Sequence, residues 1–213
     1  MVELKLMWFD LTAGLPTAVR VLRRRLGAGR TLKVLLGFVF RGLRSPFSAL
    51  GPARSDRERF TRHQLKPVLI LDDILRLDLG LDRDHRMSVL ADVVGQSGAK
   101  FIDTTMSPPT PARWRQMTDV DKRGFVDRIL DRFLNAEATR VEEPTAEVAF
   151  DVSRCHFVDL TRQLDRLELA PLFCGADSVY FDQPDSPLKL VRDTTLASGG
   201  DACRFRFHLE DEG

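Results

Sequence analysis

The sequence predicts an α+β fold, in which a helical N-terminal region is followed by an antiparallel sheet packed against helices. Apolar residues recur at helical spacing through most of the first 140 residues, whereas apolar and polar residues alternate only after about residue 146. One strand, two helices and a β-hairpin are predicted there, an order typical of an antiparallel sheet covered by helices. We therefore divide the chain into an arm, residues 1–55, and an α+β domain, residues 56–213.

The arm is amphipathic and strongly basic. It holds ten Lys and Arg residues and two acidic ones, Glu3 and Asp10, for a local charge of +8; the whole chain carries +1, so the remainder carries −7. Helical spacing predicts helices over 17–26 and 31–43, with a break at residues 27–29. Because the charges balance within the chain, we favour a helical hairpin docked on the core over a membrane-surface helix or an arm for an anionic partner.

The first part of the α+β domain, residues 56–140, is predicted to be helical. Apolar periodicity and the end signals predict helices over 56–80, 82–94 and 118–138. Gly80 suits the C-terminus of the first helix, and Thr118 suits the start of the last one. The proline-rich segment 107–111 is predicted to be a linker without regular structure.

The second part of this domain, residues 146–209, is predicted to form the sheet and the helices that cover it. The elements are, in order, a strand over 147–152, helices over 157–167 and 170–181, and a hairpin of 188–196 with 202–209. Within the last strand, Cys203 alternates with Phe205 and Phe207 and should face the core with them.

Three cysteines, all after residue 150, are the candidate reactive groups. Cys155 lies where a strand passes into a helix, and because helix N-termini lower thiol pKa values it is the best candidate for a thiolate nucleophile. Cys174 and Asp177 are three residues apart on one helix, which places a carboxylate beside a thiol and suits proton transfer. For each of these residues a purely structural role is the alternative.

Two further residues have both a functional and a structural interpretation. Arg192 is a candidate fork for a substrate carboxylate, or a surface arginine on an exposed strand face. For Cys203, packing in the core is at least as good an explanation as a role in chemistry.

A zinc site would need ligands from three separate elements, for example the three cysteines with Asp177 or His156. No phosphate-binding glycine loop, nucleophile elbow or dinucleotide fingerprint is present in the sequence.

Three phrases of the sequence resemble the L-2-amino-thiazoline-4-carboxylic acid hydrolase family. They are FDVSRC at 150–155, LFCGAD at 172–177 and RDTTLASGGDACRF at 192–205. The three cysteines, Asp177, the pair Thr195 and Leu196, and residues 199–201 match positions of the family pattern. Arg204 departs from it, because an acidic residue is expected after the last cysteine. A more distant resemblance to the 4-vinyl reductase type of ligand-binding domain implies a small-molecule pocket and keeps the zinc alternative open.

The resemblance implies hydrolytic opening of a small ring that contains nitrogen and sulfur, on a bacterial biosynthetic route. Cys155, Cys174 and Asp177 are the predicted catalytic residues, and Arg192, Thr195 and Cys203 are predicted to bind the substrate. The alternatives are a non-hydrolytic cyclase or tailoring enzyme of natural-product biosynthesis, and a small-molecule-binding domain with a structural zinc. No cofactor is expected under the leading interpretation.

The remaining expectations concern partners and compartment. A small-molecule substrate is expected and nucleic acid is not, while exposed apolar faces on the arm are compatible with a homodimer. The longest apolar run near the N-terminus, residues 34–40, is too short to span a bilayer. An odd number of cysteines and the absence of a signal-peptide pattern predict free thiols in a reducing, cytoplasmic compartment.

Overall fold

The described part of the chain folds into seven α-helices and one four-stranded sheet. The computed structural model describes residues 8–106, 109–183, 186 and 188–209. The helices in this part of the chain are α1 (Leu15–Gly42), α2 (Asp56–Asp73), α3 (Arg83–Met106), α4 (Pro111–Gln116), α5 (Asp119–Arg132), α6 (His156–Gln163) and α7 (Ala170–Phe181). The strands are β1 (Ala136–Arg140), β2 (Val148–Cys155), β3 (Leu188–Val191) and β4 (Cys203–Leu209). The predicted α+β class, with helices packed against an antiparallel sheet, is confirmed.

The sheet has the order β1-β2-β4-β3, and every neighbouring pair is antiparallel. The register places Val152 of β2 opposite Cys203 of β4. Cys203, Phe205 and Phe207 are buried, whereas the residues between them are more exposed, so the predicted alternation of β4 is confirmed. The hairpin of β3 and β4 is also confirmed, although its first strand ends at Val191 and not at residue 196 as predicted.

The prediction that a helix continues to Ala138 is wrong, because the strand β1 begins at Ala136. α5 ends at Arg132, and Phe133 follows with the non-helical angles φ −78° and ψ 64°. Residues 136–140 then pair with β2 as an edge strand. Their sequence, AEATR, is rich in helix formers, so pairing with β2 and burial of Ala136 override the local preference.

Other helix boundaries also differ from the prediction, and among them the helix predicted over 157–167 ends at Gln163. The two arm helices are halves of α1, separated at Gly27, where φ is 79° and ψ is 168°. The helix predicted to end near Val94 continues to Met106. Of the predicted linker, residues 107 and 108 lie outside the described residues, whereas Thr110 caps α4 and Pro111 begins it, because proline is tolerated at the first helical position.

The buried residues form two hydrophobic cores. The first lies among α1, α2 and α3 and includes side chains of α6 and α7 such as Phe157 and Leu172. The second lies under the sheet and includes Phe150, Phe205 and Phe207. α7 contributes to both cores, so its side chains lie where the helical layer meets the sheet. Among the described residues, no helix is long and apolar enough to cross a membrane.

Close packing and a buried ion-pair network fix α7 in place. α3 approaches α7 so closely that a side-chain carbon added at Gly98 would lie 2.5 Å from Cβ of Ala176. Just before α7, Arg166 pairs with the fully buried Asp72 of α2, which also pairs with Arg86 of α3. A buried carboxylate needs such partners, and here they tie the start of α7 to the helical core.

Candidate functional site

Cys155 is the residue that caps the N-terminus of α6, as the sequence predicts. The backbone N–H groups of Phe157 and Val158 lower its pKa and so favour the thiolate, although its side chain makes no capping hydrogen bond. Burial nevertheless outweighs them and raises the pKa of Cys155 above its usual value. The position of Cys155 is therefore confirmed, but the expectation of a lowered pKa is wrong.

An aromatic pair connects the element that carries Cys155 with the one that carries Cys174. The rings of Phe157 on α6 and Phe173 on α7 stack with their centroids 3.8 Å apart and an interplanar angle of 13°. Phe157 follows Cys155 by two residues, and Phe173 directly precedes Cys174. Stacking of these rings therefore brings the two cysteine-bearing segments together.

Cys174 and Asp177 lie on one side of α7, where Arg192 contacts both. Arg192 follows β3 and donates from Nη1 to Oδ2 of Asp177 at 2.6 Å and from Nη2 to the carbonyl oxygen of Cys174 at 2.8 Å. Burial raises the pKa of Cys174 to about 12, with Arg192 lowering it and Asp177 raising it further. The thiol of Cys174 is thus protonated at neutral pH.

Arg192 is held as a buried structural cation. Its side chain is 7 % exposed, and its guanidinium lies 4.7 Å from the centroid of the Phe205 ring. With Asp177, the Cys174 carbonyl and Phe205 as neighbours, this geometry favours a role in positioning Asp177. Its predicted role as a fork for a substrate carboxylate stays a prediction.

Asp177 is an ion-paired carboxylate in a mostly buried setting. Burial raises the pKa of Asp177, and the charge and hydrogen bond of Arg192 oppose that rise. A carboxyl group balanced in this way can accept a proton from a neighbouring group or return it. The predicted acid–base role of Asp177 is compatible with this setting and stays a prediction.

Cys203 and Thr195 stabilise the loop between β3 and β4. The sulfur of Cys203, which is buried in the sheet core, accepts a hydrogen bond from the backbone N–H of Leu196 at 3.2 Å. The hydroxyl of Thr195 accepts from the N–H of Ser198 at 3.2 Å, and the Ser198 hydroxyl accepts from the N–H of Thr195 at 3.3 Å. These contacts cap the short turn Leu196–Ser198. They explain both residues structurally, and their predicted contacts with substrate stay predictions.

Cys155, Cys174, Cys203, Asp177 and Arg192 lie in one neighbourhood, which we call the thiol cluster. The pKa of Cys174 responds to the charges of all four other members, and Cys203 raises the pKa of Cys155. The register that places Val152 opposite Cys203 and the stacked rings of Phe157 and Phe173 hold the elements that carry these cysteines next to one another.

The thiol cluster is not arranged as a metal site. Within residues 8–106, 109–183, 186 and 188–209, no group of three or more His, Cys, Asp or Glu side chains could hold a metal ion. The described residues therefore provide no set of ligands for the structural zinc that was considered as an alternative.

His156 is adjacent to Cys155, and its Nε2 is buried without a hydrogen-bond partner among the described residues. Burial and the nearby cation of Arg154 lower the pKa of His156. The missing partner at Nε2 is compatible with the sequence argument that adjacent residues rarely face each other.

The sequence-based prediction missed two features of this site. Phe205, which lies against Arg192, was assigned only to the core by its alternation on β4. The ion pair of Arg192 with Asp177 joins residues 15 positions apart on different elements. No spacing along the chain indicates that these two residues pair. The only hint in the sequence was that they carry opposite charges and both lie in segments that match the family pattern.

Comparison with known proteins supplies the decisive observation. The model of the L-2-amino-thiazoline-4-carboxylic acid hydrolase family matches residues 89–207. The chain belongs to this family. The match includes every member of the thiol cluster and leaves out the basic arm. Searches of the curated proteins and of the solved structures returned no match.

The raised pKa of Cys174 predicts a pH-dependent stability in this family member. Between the ordinary thiol value of 9.0 and about 12, an unfolded thiol has lost its proton while the folded Cys174 keeps it. The unfolded state therefore binds fewer protons, and the free energy of unfolding falls as pH rises, by at most about 1.4 kcal/mol per pH unit. Below pH 9.0 the loss is absent.

Urea denaturation of wild-type protein and Cys174→Ala at several pH values checks this expectation. The stability difference between the two proteins should be constant from pH 7 to 8 and should shift in favour of the variant above about pH 9. Stability curves that run parallel through the alkaline range would contradict the raised pKa. Removing the sulfur also changes the free energy of unfolding by an amount that does not vary with pH. This amount does not affect how the stability of each protein changes with pH.

Proposed function

We propose that this protein hydrolyses a small, thiazoline-like ring at its C=N or C–N bond. The observation that carries the proposal is the ion pair of Asp177 with Arg192, which also contacts Cys174, in a neighbourhood that includes Cys155 and Cys203 and lies inside the region matched by the hydrolase family. The family name implies hydrolase activity. The ring substrate and the use of the thiols are our inference.

Cys155 is the proposed nucleophile. It alone among the three thiols lies at a helix N-terminus, where the amides of Phe157 and Val158 favour a developing thiolate. Its sulfur attacks the carbon of the C=N group; the S–C bond forms, the π bond breaks, and the ring nitrogen takes the proton that the thiol gives up. The ring C–N bond then breaks as the exocyclic amino group forms a C=N bond and its proton passes to the departing ring nitrogen. Water adds to the same carbon, and the S–C bond breaks to leave a carbonyl group on the product and a free Cys155 thiol.

Cys174 and Asp177 are the proposed proton-transfer groups. The thiol of Cys174 is protonated at neutral pH, because burial raises its pKa to about 12, and it can only donate there. Asp177, fixed by Arg192, is the group that can accept a proton from the attacking thiol or from water. Arg192 acts by holding Asp177 in place, since its own side chain is 7 % exposed.

A second candidate is a non-hydrolytic cyclase or tailoring enzyme on the same scaffold. The observation that favours it is that burial raises the pKa of all three thiols, so none rests as a ready thiolate. In that case the cluster supplies shape and Asp177 supplies acid–base chemistry. Turnover that survives loss of all three thiols, but not Asp177→Asn, would favour this candidate over the hydrolase.

The direct test is turnover of 2-amino-thiazoline-4-carboxylate by the purified protein, followed by chromatography and mass spectrometry. We expect consumption of the ring in proportion to enzyme concentration, with a ring-opened product. Arg204→Ala is a suitable control, since Arg204 lies on the outer face of β4 and pairs only with the exposed Asp201 within the described residues. Intact substrate in the presence of wild-type protein, with this compound and with ring-substituted thiazolines, would contradict the proposal.

A further inference from the structure

The second half of α1 carries an exposed apolar stripe. Its members are Leu32, Leu36, Val39, Phe40 and Leu43, and each is more than half exposed to solvent, up to 83 % for Leu43. Their spacing of three or four residues places them along one side of the helix. A contiguous stripe of this kind is typical of an interaction surface, because single exposed apolar residues are common but clusters of five large ones are not.

The stripe is exposed even though α1 packs against the rest of the protein. On its other side α1 is buried through Thr31 and Val34, and Gly37 approaches the side chain of Ile74 so closely that an added carbon would lie 3.0 Å away. Arg41 also pairs with Asp78 at 2.5 Å. α1 is therefore fixed on the protein by one face and presents the apolar stripe with the other.

The segment that carries the stripe contains no acidic residue. Arg30 and Lys33 on the helix and Arg44 just after it are exposed, and no acidic residue occurs between Leu11 and Ser55. Two copies that met through this stripe would place cation beside cation, which disfavours a second copy as the occupant. An anionic surface with an apolar interior satisfies both the charges and the stripe.

The first half of α1 has the same chemical character. Leu15, Pro16 and Val19 lie beside Arg20 and Arg23 on one open face of the helix. Apolar side chains next to cations are typical of a helix that lies at the surface of an anionic membrane. The break at Gly27 separates this face from the stripe.

We infer that the arm docks this protein on the surface of a bilayer rich in anionic phospholipids, with the second half of α1 lying in the interfacial plane. The stripe enters the boundary between headgroups and acyl chains, and the flanking cations contact lipid phosphates. This role lies outside the region that matches the hydrolase family, which begins at residue 89, and it does not depend on the proposed chemistry.

Sedimentation with lipid vesicles tests the inference. The protein should sediment with vesicles of mixed phosphatidylcholine and phosphatidylglycerol, weakly with phosphatidylcholine alone, and less as salt is raised. Leu36→Glu with Phe40→Glu should lower binding to the anionic vesicles by about 10-fold or more, because it places charge in the apolar stripe. The matched control, Val120→Glu with Leu167→Glu, changes two exposed apolar residues elsewhere and should bind like the wild type.

Three results would overturn the inference. Equal binding by the stripe variant and the wild type would show that the stripe is not used. A solution dimer that the stripe variant dissociates, without vesicle binding, would assign the stripe to contact between copies. If the protein is a monomer that does not bind anionic vesicles, the stripe is not a membrane-binding surface, and an acidic protein becomes the candidate partner for it. Unchanged melting temperatures of both variants show that the comparison is made on folded protein.

Discussion

Replacing Cys155 with alanine is expected to lower kcat/KM for ring opening by about 10³-fold or more. The expectation follows from its position at the N-terminus of α6, where two backbone amides favour the thiolate that forms during attack. The measurement is steady-state turnover of the thiazoline by wild-type protein and Cys155→Ala at equal concentrations. Because the nucleophile is lost altogether, the decrease should occur in kcat.

Cys203→Ala is the matched control for this prediction. Cys203 belongs to the same cluster but is explained by its packing in the sheet core and its hydrogen bond from Leu196. Its loss should reduce stability while leaving kcat/KM within about 10-fold of the wild type. If Cys155→Ala and Cys174→Ala both kept full turnover, attack by a thiol would be ruled out.

Replacing Arg192 with alanine is expected to cost about 3 kcal/mol of stability. The change would leave Asp177 as a largely buried carboxylate without its partner, and it would remove the cation from the Phe205 ring. For a protein of this size, a loss of that magnitude lowers the melting temperature by about 6 to 12 °C. Thermal denaturation followed by circular dichroism provides the measurement.

Two further variants separate the ion pair from other effects of the Arg192 change. Arg204→Ala breaks the exposed pair with Asp201 and should leave the melting temperature unchanged, because exposed ion pairs contribute little. Arg192→Leu with Asp177→Leu removes both charges and should be more stable than Arg192→Ala. A melting temperature of Arg192→Ala equal to that of Arg204→Ala would show that the pair is not structurally important.

The features that were predictable from the sequence depend on local periodicity. Cys203, Phe205 and Phe207 alternate with polar residues, and the period of a strand places them on the buried face, as observed. Cys155 follows an alternating segment and precedes a helical one, so its position at a helix start was also predictable. Local geometry alone determines both of these results.

The features that were not predictable depend on tertiary packing. The segment AEATR of β1 has the composition of a helix and becomes a strand only because β2 offers an edge to pair with. The pKa of Cys155 is raised because surrounding side chains exclude water from it, which outweighs the helix amides that the sequence indicates. The pair of Arg192 and Asp177 forms because the loop after β3 lies against α7.

The most direct test of the central claim, that the thiol cluster belongs to a hydrolase, is ring opening in water labelled with heavy oxygen. Wild-type protein should convert 2-amino-thiazoline-4-carboxylate into a ring-opened product that carries one labelled oxygen, and Cys155→Ala should form it at least about 10³-fold more slowly. Product that contains no label, or labelled product formed equally fast by Cys155→Ala, would contradict the account.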